Sequence, residues 1–110
     1  MTNKIVVLST CADEKEGEKL ARALLEERLA ACVSVIPRMR SFYHWKGAIE
    51  SASECLLLIK TSRELFEPLC LVIQKLHSYD VPEVLAVSAV DGEPNYLNWL
   101  ESSIRGGTET

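Results

Sequence analysis

The alternation of apolar and polar residues predicts a long β-hairpin in the middle of the chain, over residues 29–61. Its first arm runs over residues 32–45, and its second arm ends in the apolar run 55–59. The arms meet at Lys46 and Gly47, where glycine supplies the positive φ that a tight hairpin turn requires. The pattern therefore predicts two paired strands of unusual length.

The sequence leaves the register of this hairpin open. A two-residue loop would pair Trp45 with Ala48, whereas a three-residue loop with Gly47 in a bulge would pair His44 with Ala48. Pro37, near the midpoint of the first arm, favours a bend there, because proline gives no ladder hydrogen bond.

The length of the first arm predicts how the protein assembles. Unbent, this arm would reach about 45 Å at roughly 3.4 Å per residue, but a globule of this size is only about 35 Å across. We therefore expect the distal hairpin to project beyond its own core and to expose Phe42, Tyr43 and Trp45. Exposed aromatic residues on a flat ribbon favour aggregation unless they are covered. The predicted solution is a closed oligomer in which these three residues contact neighbouring subunits.

The segment before the hairpin predicts a strand and then a helix. Residues 5–8 are apolar on both faces, which is typical of a central strand. Asp13 and Glu16 have the spacing of a helix capping box, and a helix follows to about Arg28. Its predicted inward face consists of Leu20, Ala21, Leu24 and Leu25.

A second helix is predicted after the hairpin. Thr61 and Glu64 offer another capping box. Pro68 would break a helical hydrogen bond unless the first turn is irregular and the α-helix proper begins near Glu67. The apolar stripe of this helix consists of Leu65, Leu69, Val72, Ile73 and Leu76.

The C-terminal third of the chain predicts one more strand and one more helix. Residues 84–90 are typical of a strand that is buried on both faces. A last helix is predicted over residues 94–104 and ends at Gly106 and Gly107, with residues 106–110 as a flexible tail.

The predicted order is strand, helix, strand, strand, helix, strand, helix, in a single domain over residues 1–110. This is the α+β, ferredoxin-like βαββαβ arrangement, with a long hairpin between its second and third strands and an additional C-terminal helix. Two helices on one face of a four-stranded sheet leave the other face bare. We therefore expect partner subunits to cover that face.

Composition limits the possible partners. The chain has 110 residues and a net charge of -4, which offers no basic face for phosphate backbones, so nucleic acid is not expected. No apolar run is long enough for a signal-peptide core or a membrane span, so no membrane partner is expected. The cysteines are widely separated, which indicates reduced cytosolic thiols that act by default as small buried hydrophobes. They are Cys11, Cys32, Cys55 and Cys70.

The chain contains no phosphate-binding loop or hydrolase motif, and no nucleophile, base and orienting group can be placed together, so an enzyme is not predicted. The soft metal-ligand candidates are the thiols, His44 and His77, without the short spacings of a tetrahedral zinc site. Copper would bind such thiolate and imidazole groups readily, in particular at a site built between subunits.

The loop over residues 77–83 has the densest functional side chains, and it has two interpretations. In the first it is a plain helix-to-strand connection, in which His77 caps helix carbonyls and Tyr79 anchors the loop. In the second, His77 ligates a metal or moves a proton while Glu83 positions a cation or a hydrogen-bond donor.

Lys60 and the hairpin aromatics also have alternatives. Lys60 lies at a strand end, where it would pair with Glu83 or Glu54, bind an anion or stay solvated. The aromatic residues are expected to pack at an interface and not to stack on nucleobases, because a base-stacking platform should come with basic residues.

Five segments occur along the chain in a characteristic order. They are Glu27-Arg28-Leu29-Ala30-Ala31-Cys32-Val33, Tyr43-x-Trp45-x-Gly47, Lys60-Thr61, His77-Ser78-Tyr79 with Pro82-Glu83, and Tyr96-Leu97-x-Trp99. Together they resemble one family over nearly the whole chain, the CutA divalent-cation-tolerance proteins. The resemblance implies a ferredoxin-like homotrimer that is cytoplasmic in bacteria and similar in architecture to the PII signalling proteins. It also implies a link to heavy-metal tolerance and the binding of divalent metals, copper above all, while animal relatives are associated with acetylcholinesterase assembly and membrane anchoring.

By position, the resemblance places a family cysteine at Cys32 and the family's loop histidine at His77. It places Tyr79 and Glu83 in the motif that lines the cleft between subunits. The chain departs from the family at Ser78, where a proline is usual, and this change loosens the loop.

A second departure is Ser9, where some bacterial members have a metal-linked cysteine. Cys11 lies two residues further on and would face the same side of a strand. Cys11 is therefore the candidate substitute for the missing family cysteine.

Two functions follow as expectations. The first is a cytoplasmic homotrimer that binds copper or another divalent metal ion at clefts between subunits. Its predicted ligands are Cys32, His77 and Cys11. The alternative is a PII-like sensor or interaction scaffold without catalysis, whose cleft holds a small anionic metabolite or a peptide of an unidentified protein partner. The residues of that cleft are Trp45, Lys60, Tyr79 and Glu83.

Overall fold

The computed structural model describes residues 2–107 of the chain, and these contain four strands and three α-helices. The elements are β1 (Lys4–Cys11), α1 (Glu14–Glu26), β2 (Cys32–Trp45), β3 (Ala48–Ser62), α2 (Phe66–Leu76), β4 (Val84–Ser88) and α3 (Pro94–Ser103). The strands form one antiparallel sheet in the order β2-β3-β1-β4. This is the predicted α+β, ferredoxin-like arrangement with a C-terminal helix, and the first strand is central as expected.

The turn of the long hairpin resolves the register that the sequence left open. Trp45 pairs with Ala48, so the loop has two residues. Lys46 has a φ of 49° and Gly47 a φ of 81°. Positive φ at both central residues is typical of the type I′ turn, whose twist matches that of the flanking strands.

A β-bulge interrupts the pairing of β2 with β3 at the predicted bend. Ile36 pairs with Leu56, and the next pair is Met39 with Glu54. Pro37 and Arg38 of β2 therefore oppose a single residue of β3, Cys55. Arg38 has a φ of 59°. Bulges bend the strand that contains them and increase its twist.

The two faces of the sheet differ in what covers them. Val7, Leu57 and Ile59 are completely buried on the face that the helices cover. Their neighbours along each strand point to the opposite face, because side chains alternate. We call this second side the helix-free face, and it carries Val6, Leu8, Ile36, Leu56, Leu58, Leu85 and Val87. All of these side chains are partly or largely exposed in the single chain.

The fourth strand differs from its prediction. It ends at Ser88 and not at residue 90, and it is not buried on both faces, since Leu85 is 58% exposed and Val87 49% exposed. Both differences follow from its position at the edge of the sheet, where it pairs with β1 alone. Leu85 and Val87 point to the helix-free face, which no element within residues 2–107 covers.

The first helix, α1, confirms most of its sequence pattern, with two corrections. Leu25 is 41% exposed instead of buried, because the buried stripe of α1 passes through Leu20, Ala21 and Leu24. The helix also ends at Glu26, two residues early, since Arg28 takes a left-handed φ of 55° that closes it.

The capping box predicted for the second helix is absent. Thr61 instead donates a hydrogen bond from Oγ1 to the carbonyl of Leu29 at 2.7 Å, while Glu64 accepts one from Asn3 at 3.1 Å. A single 3₁₀ turn, Arg63–Leu65, precedes α2. The irregular first turn was predicted, and it puts Pro68 within the first turn of the α-helix, where backbone N–H groups have no partner inside the helix.

The last helix ends at Ser103, one residue before the predicted end. Gly106 has a φ of 74°, and the N–H of Gly107 donates to the carbonyl of Ile104 at 3.1 Å. Residues 108–110 of the predicted tail lie outside the described residues. Within residues 2–107, no helix has both the length and the apolar character needed to cross a membrane.

The distal hairpin projects from the core, as predicted. The chain measures 50 × 26 × 23 Å along its principal axes. Phe42 is 69% exposed, Trp45 53%, Tyr43 43% and Ile49 71%. A large apolar surface therefore lies on the ribbon in addition to the helix-free face.

Candidate functional site

A cleft of about 560 Å³ lies between the distal hairpin and the loop that follows α2. The hairpin and the end of β1 form one side, and residues 79–83 form the other. The lining residues are Thr10, Ser41, Phe42, Tyr43, Trp45, Glu54, Tyr79, Asp80, Val81 and Glu83. The loop and the hairpin aromatics thus meet at one site within a single chain.

The cleft is acidic. Glu54, Asp80 and Glu83 contribute carboxylates, and the lining contains no lysine, arginine or histidine. Glu54 is only 7% exposed, and its Oε2 accepts a hydrogen bond from the Tyr79 hydroxyl at 2.8 Å. Burial and then the Glu54 carboxylate raise the pKa of Tyr79, so its hydroxyl stays a donor at neutral pH. The lining therefore attracts cations.

His77 holds the loop in place from beneath. Its side chain is fully buried. The backbone N–H of Tyr79 donates to Nδ1 at 3.0 Å, which makes Nδ1 an acceptor and assigns the ring proton to Nε2. Nε2 then donates to the Thr10 carbonyl at 2.7 Å. Both ring nitrogens are thus used to tie the loop to β1, so the ring has a structural role, but it bonds a strand carbonyl and not the helix carbonyls that were predicted.

Glu16 links the start of α1 to the same loop. The predicted capping box forms, since the Glu16 N–H donates to Asp13 Oδ1 at 2.8 Å and the Glu16 carboxylate accepts from the Ala12 N–H at 3.0 Å. Its other oxygen accepts from the Ser78 N–H at 2.8 Å. Burial alone would raise the pKa of Glu16, but the hydrogen bonds from Ala12 and Ser78 outweigh it and the pKa falls below the ordinary value.

A substitution at Glu16 tests this anchor. A carboxyl group whose pKa is lowered on folding stabilises the protein above its ordinary pKa of 4.5, and the effect is lost as the pH falls through the lower folded value. Glu16→Gln should therefore reduce the free energy of unfolding by about 1–2 kcal/mol at pH 7, and the difference should vanish in acid. Urea unfolding at both pH values measures it. Glu18→Gln on the exposed side of α1 is the matched control, and an equal loss there would contradict the assignment.

A family model described as "CutA1 divalent ion tolerance protein" matches residues 5–103, which is most of the chain. The chain belongs to this CutA1 family. The sequence resemblance is thereby confirmed.

Individual relatives agree with this assignment. The chain is 46% identical over 101 residues to "Protein CutA, chloroplastic" of Arabidopsis thaliana, covering 92% of this chain but 56% of that protein. The chain therefore spans little more than half the length of that curated relative. A CutA crystal structure from Xylella fastidiosa superimposes with a TM-score of 0.91 at 38% identity, over 94% of this chain and 100% of that one. The "Periplasmic divalent cation tolerance protein CutA" of Archaeoglobus fulgidus gives 0.90 at 32% identity, over 93% and 99%.

The predicted metal ligands of this CutA1-family chain do not meet within one subunit. Cys32 lies on the helix-free face in one row with Lys60 and Val6. Cys11 points to the opposite face, five residues further along β1, or about 17 Å away. His77 contacts β1 near Cys11, at Thr10. Within residues 2–107, no group of three histidine, cysteine or acidic side chains lies close enough together to hold a metal ion.

Of the four residues that were predicted to line a cleft in this CutA1-family chain, three lie together in the structure. Trp45, Tyr79 and Glu83 all line the cleft. Lys60 does not, since it lies six residues from Glu54 along β3, about 20 Å away. The Lys60 ammonium instead lies 3.7 Å from the Cys32 sulfur and 3.2 Å from Ser34 Oγ.

Sequence reasoning missed the role of Glu54 in this cleft. Glu54 stands beside the apolar end of β3, which marks it as an inward-facing carboxylate. By alternation along β3, Glu54 shares the face of Leu56, but the residues of β2 that lie beside it depend on the bulge, whose register the sequence does not reveal. Asp80 lies in the loop over residues 77–83, and its carboxylate in the cleft was not predicted either.

Proposed function

We propose that this CutA1-family chain acts in divalent-cation tolerance as a non-enzymatic cytoplasmic homotrimer that binds copper or another divalent metal ion at clefts between subunits. The description of the family and the names of its relatives support a divalent cation as the ligand. The single observation on which the proposal rests is the acidic cleft between the distal hairpin and the loop that follows α2. Its carboxylates supply negative charge and oxygen ligands in a concave, partly apolar setting.

Self-association completes the proposed site. The ribbon exposes Phe42, Trp45 and Ile49, and the helix-free face adds further apolar surface. Contiguous apolar surface of this kind marks an interaction site in a water-soluble chain. A closed ring of identical subunits would cover both regions and leave no unpartnered copy. The cleft opens beside the ribbon, so a neighbouring subunit that packs there would face it.

The metal ligands in this proposal come from more than one subunit, because residues 2–107 of a single chain do not bring enough donors together. Glu54, Asp80 and Glu83 supply oxygen atoms to the cleft. The thiols of Cys32 and Cys11 and the imidazole of His77 would supply the softer donors that favour copper. For His77 to serve, the metal would have to displace the contact to Thr10 or the one to Tyr79.

Calorimetric titration of the reduced protein with Zn²⁺ and with Cu²⁺ tests the proposal. Glu54→Gln combined with Glu83→Gln keeps the side-chain shapes and removes two charges, so it should weaken binding of both ions by about tenfold or more. Glu50→Gln, on the exposed hairpin outside the cleft, is the matched control and should leave the affinity unchanged. Equal affinities in all three proteins would refute the cleft as the cation site.

The alternative function is a PII-like sensor of small anionic metabolites or a protein-interaction scaffold, and one observation favours it. The half-buried ammonium of Lys60 has a thiol and a hydroxyl as neighbours. Of the residues that the structure describes, no carboxylate forms an ion pair with it. If citrate or phosphate raises the melting temperature and metal ions do not, and Lys60→Met abolishes the effect, the sensor replaces the metal-binding proposal.

A further inference from the structure

Cys11 and Cys55 face each other directly across the β1–β3 pair. Residues directly opposite in antiparallel strands have Cα atoms about 4.5–5.5 Å apart. Disulfides form when the Cα atoms are about 4.4–6.8 Å apart. The two side chains also point to the same face of the sheet, since Cα partners share a face. The backbone therefore already has the spacing of a cross-strand disulfide.

Both thiols are free, and both are buried beneath α1. Cys11 is completely buried and Cys55 is 2% exposed. The helix passes closely at Gly17, where a Cβ atom would lie 3.3 Å from the Cys11 sulfur. The Cys11 thiol donates to the Asp13 carbonyl, 3.5 Å from its sulfur. The pair thus sits in a tight, apolar space next to the start of the helix.

The surroundings favour an uncharged product. Burial, and then the neighbouring Cys55, Glu16 and Asp13, raise the pKa of Cys11 to about 12. Burial also raises the pKa of Cys55, whereas hydrogen bonds from the Arg38 backbone and the Cys11 thiol lower it in part. Cys55 keeps slight exposure whereas Cys11 has none, so a small peroxide would reach Cys55 first. A disulfide carries no charge, so it avoids the desolvation cost that opposes a pair of thiolates here.

We propose that Cys11 and Cys55 form an oxidation-sensitive pair that a small peroxide converts into an intrachain disulfide between β1 and β3. The Cys55 thiolate attacks one peroxide oxygen, the O–O bond breaks, and hydroxide leaves and takes up a proton to form water. The sulfur is then a sulfenic acid. The Cys11 sulfur attacks it, an S–S bond forms, the S–O bond breaks, and a second water leaves with the Cys11 proton. Two thiols and one hydrogen peroxide thus give one disulfide and two waters.

The position of the pair gives the disulfide a consequence for the cleft. Thr10, next to Cys11, carries the carbonyl that holds His77. Glu54, next to Cys55, is the buried carboxylate of the cleft. The disulfide would link β1 and β3 covalently beside the Thr10 carbonyl and the Glu54 carboxylate. The inference needs only the two opposed thiols, and because Cys11 is also a proposed metal ligand, the disulfide and a metal ion bound through Cys11 would exclude each other.

The test uses the native chain, hydrogen peroxide and tryptic peptide mapping under non-reducing conditions. Trypsin releases Cys11 in peptide 5–15 and Cys55 in peptide 47–60, and each peptide contains one cysteine. The expected result is a linked pair of these two peptides, lighter by two hydrogens than the sum of the free peptides. Formation should accelerate as the pH rises from 7 to 9, because the reaction needs a thiolate.

Two variants make the result decisive. Cys32→Ala with Cys70→Ala leaves only the opposed pair, and this protein should still form the linked peptides and a faster-migrating non-reduced band. Cys55→Ala should form neither. The proposal is overturned if peptides 5–15 and 47–60 stay unlinked after Cys32 and Cys70 have reacted. It is also overturned if Cys11 and Cys55 link to other cysteines as often as to each other.

Discussion

Replacing Phe42 and Trp45 together with glutamate is expected to convert the assembled protein into single chains. The two side chains are 69% and 53% exposed in one subunit, on opposite faces of the projecting ribbon. In the proposed trimer they are covered, and burying an unpaired carboxylate costs several kcal/mol for each ion. Light scattering after size-exclusion chromatography should show the molar mass of three chains for the unmodified protein and of one chain for the variant.

Leu71→Glu with Leu25→Glu provides the matched control for this experiment. Leu71 and Leu25 are 67% and 41% exposed, but they lie on the helices and away from the ribbon. The control should keep the mass of the unmodified protein, since the same kind of change is made on a surface that solvent already contacts. If the unmodified protein is itself a folded monomer, or if both variants dissociate equally, the ribbon is not the interface.

Replacing His77 with alanine should destabilise the protein even when no metal is present. The ring is fully buried, and its loss leaves a cavity together with an unpaired Thr10 carbonyl and Tyr79 N–H. Cavity formation and lost hydrogen bonds together should reduce the free energy of unfolding by about 2–4 kcal/mol. Urea unfolding in the presence of a chelator measures the change.

The second histidine of the chain serves as the control. His44 is exposed on the distal hairpin, so His44→Ala should change the free energy of unfolding by no more than about 0.5 kcal/mol. Equal stability of the His77→Ala protein and the unmodified protein would contradict the structural role of the buried ring. The result also governs metal experiments, because loss of copper binding in His77→Ala would reflect a displaced loop unless the loop is shown to be intact.

The fold was predictable because its strongest signals are local. The turn at Gly47, the capping box of Asp13 and Glu16 and the break at Pro37 each act within a few residues, and the structure contains all three. The error in the fourth strand falls where burial depends on distant neighbours. The exposure of Leu85 follows from the edge position of its strand, which no local pattern records.

The candidate site was predictable only in part, for the same reason. Trp45, Tyr79 and Glu83 were expected together, and they line one cleft. Glu54 itself points to the same face as Leu56, but which residues of β2 share that face depends on the two-against-one step in strand pairing at the bulge. The face assigned to Cys11 followed from simple alternation with Ser9, and both are fully buried on the helix-covered side. That Cys55 stands opposite Cys11 could not be read from the sequence, because it depends on the alignment of β1 with β3.

The bulge at Pro37 and Arg38 has a consequence for how subunits recognise one another. The return strand near the tip is rich in small and polar residues, and such strands specify their alignment weakly. Here the bulge fixes one end of the ribbon and the two-residue turn fixes the other. A shift of the β2–β3 pairing by one residue would require both the bulge and the turn to break and to form again. Each copy of the ribbon is therefore presented to its neighbour in a single alignment, which disfavours the staggered pairings from which fibrils grow.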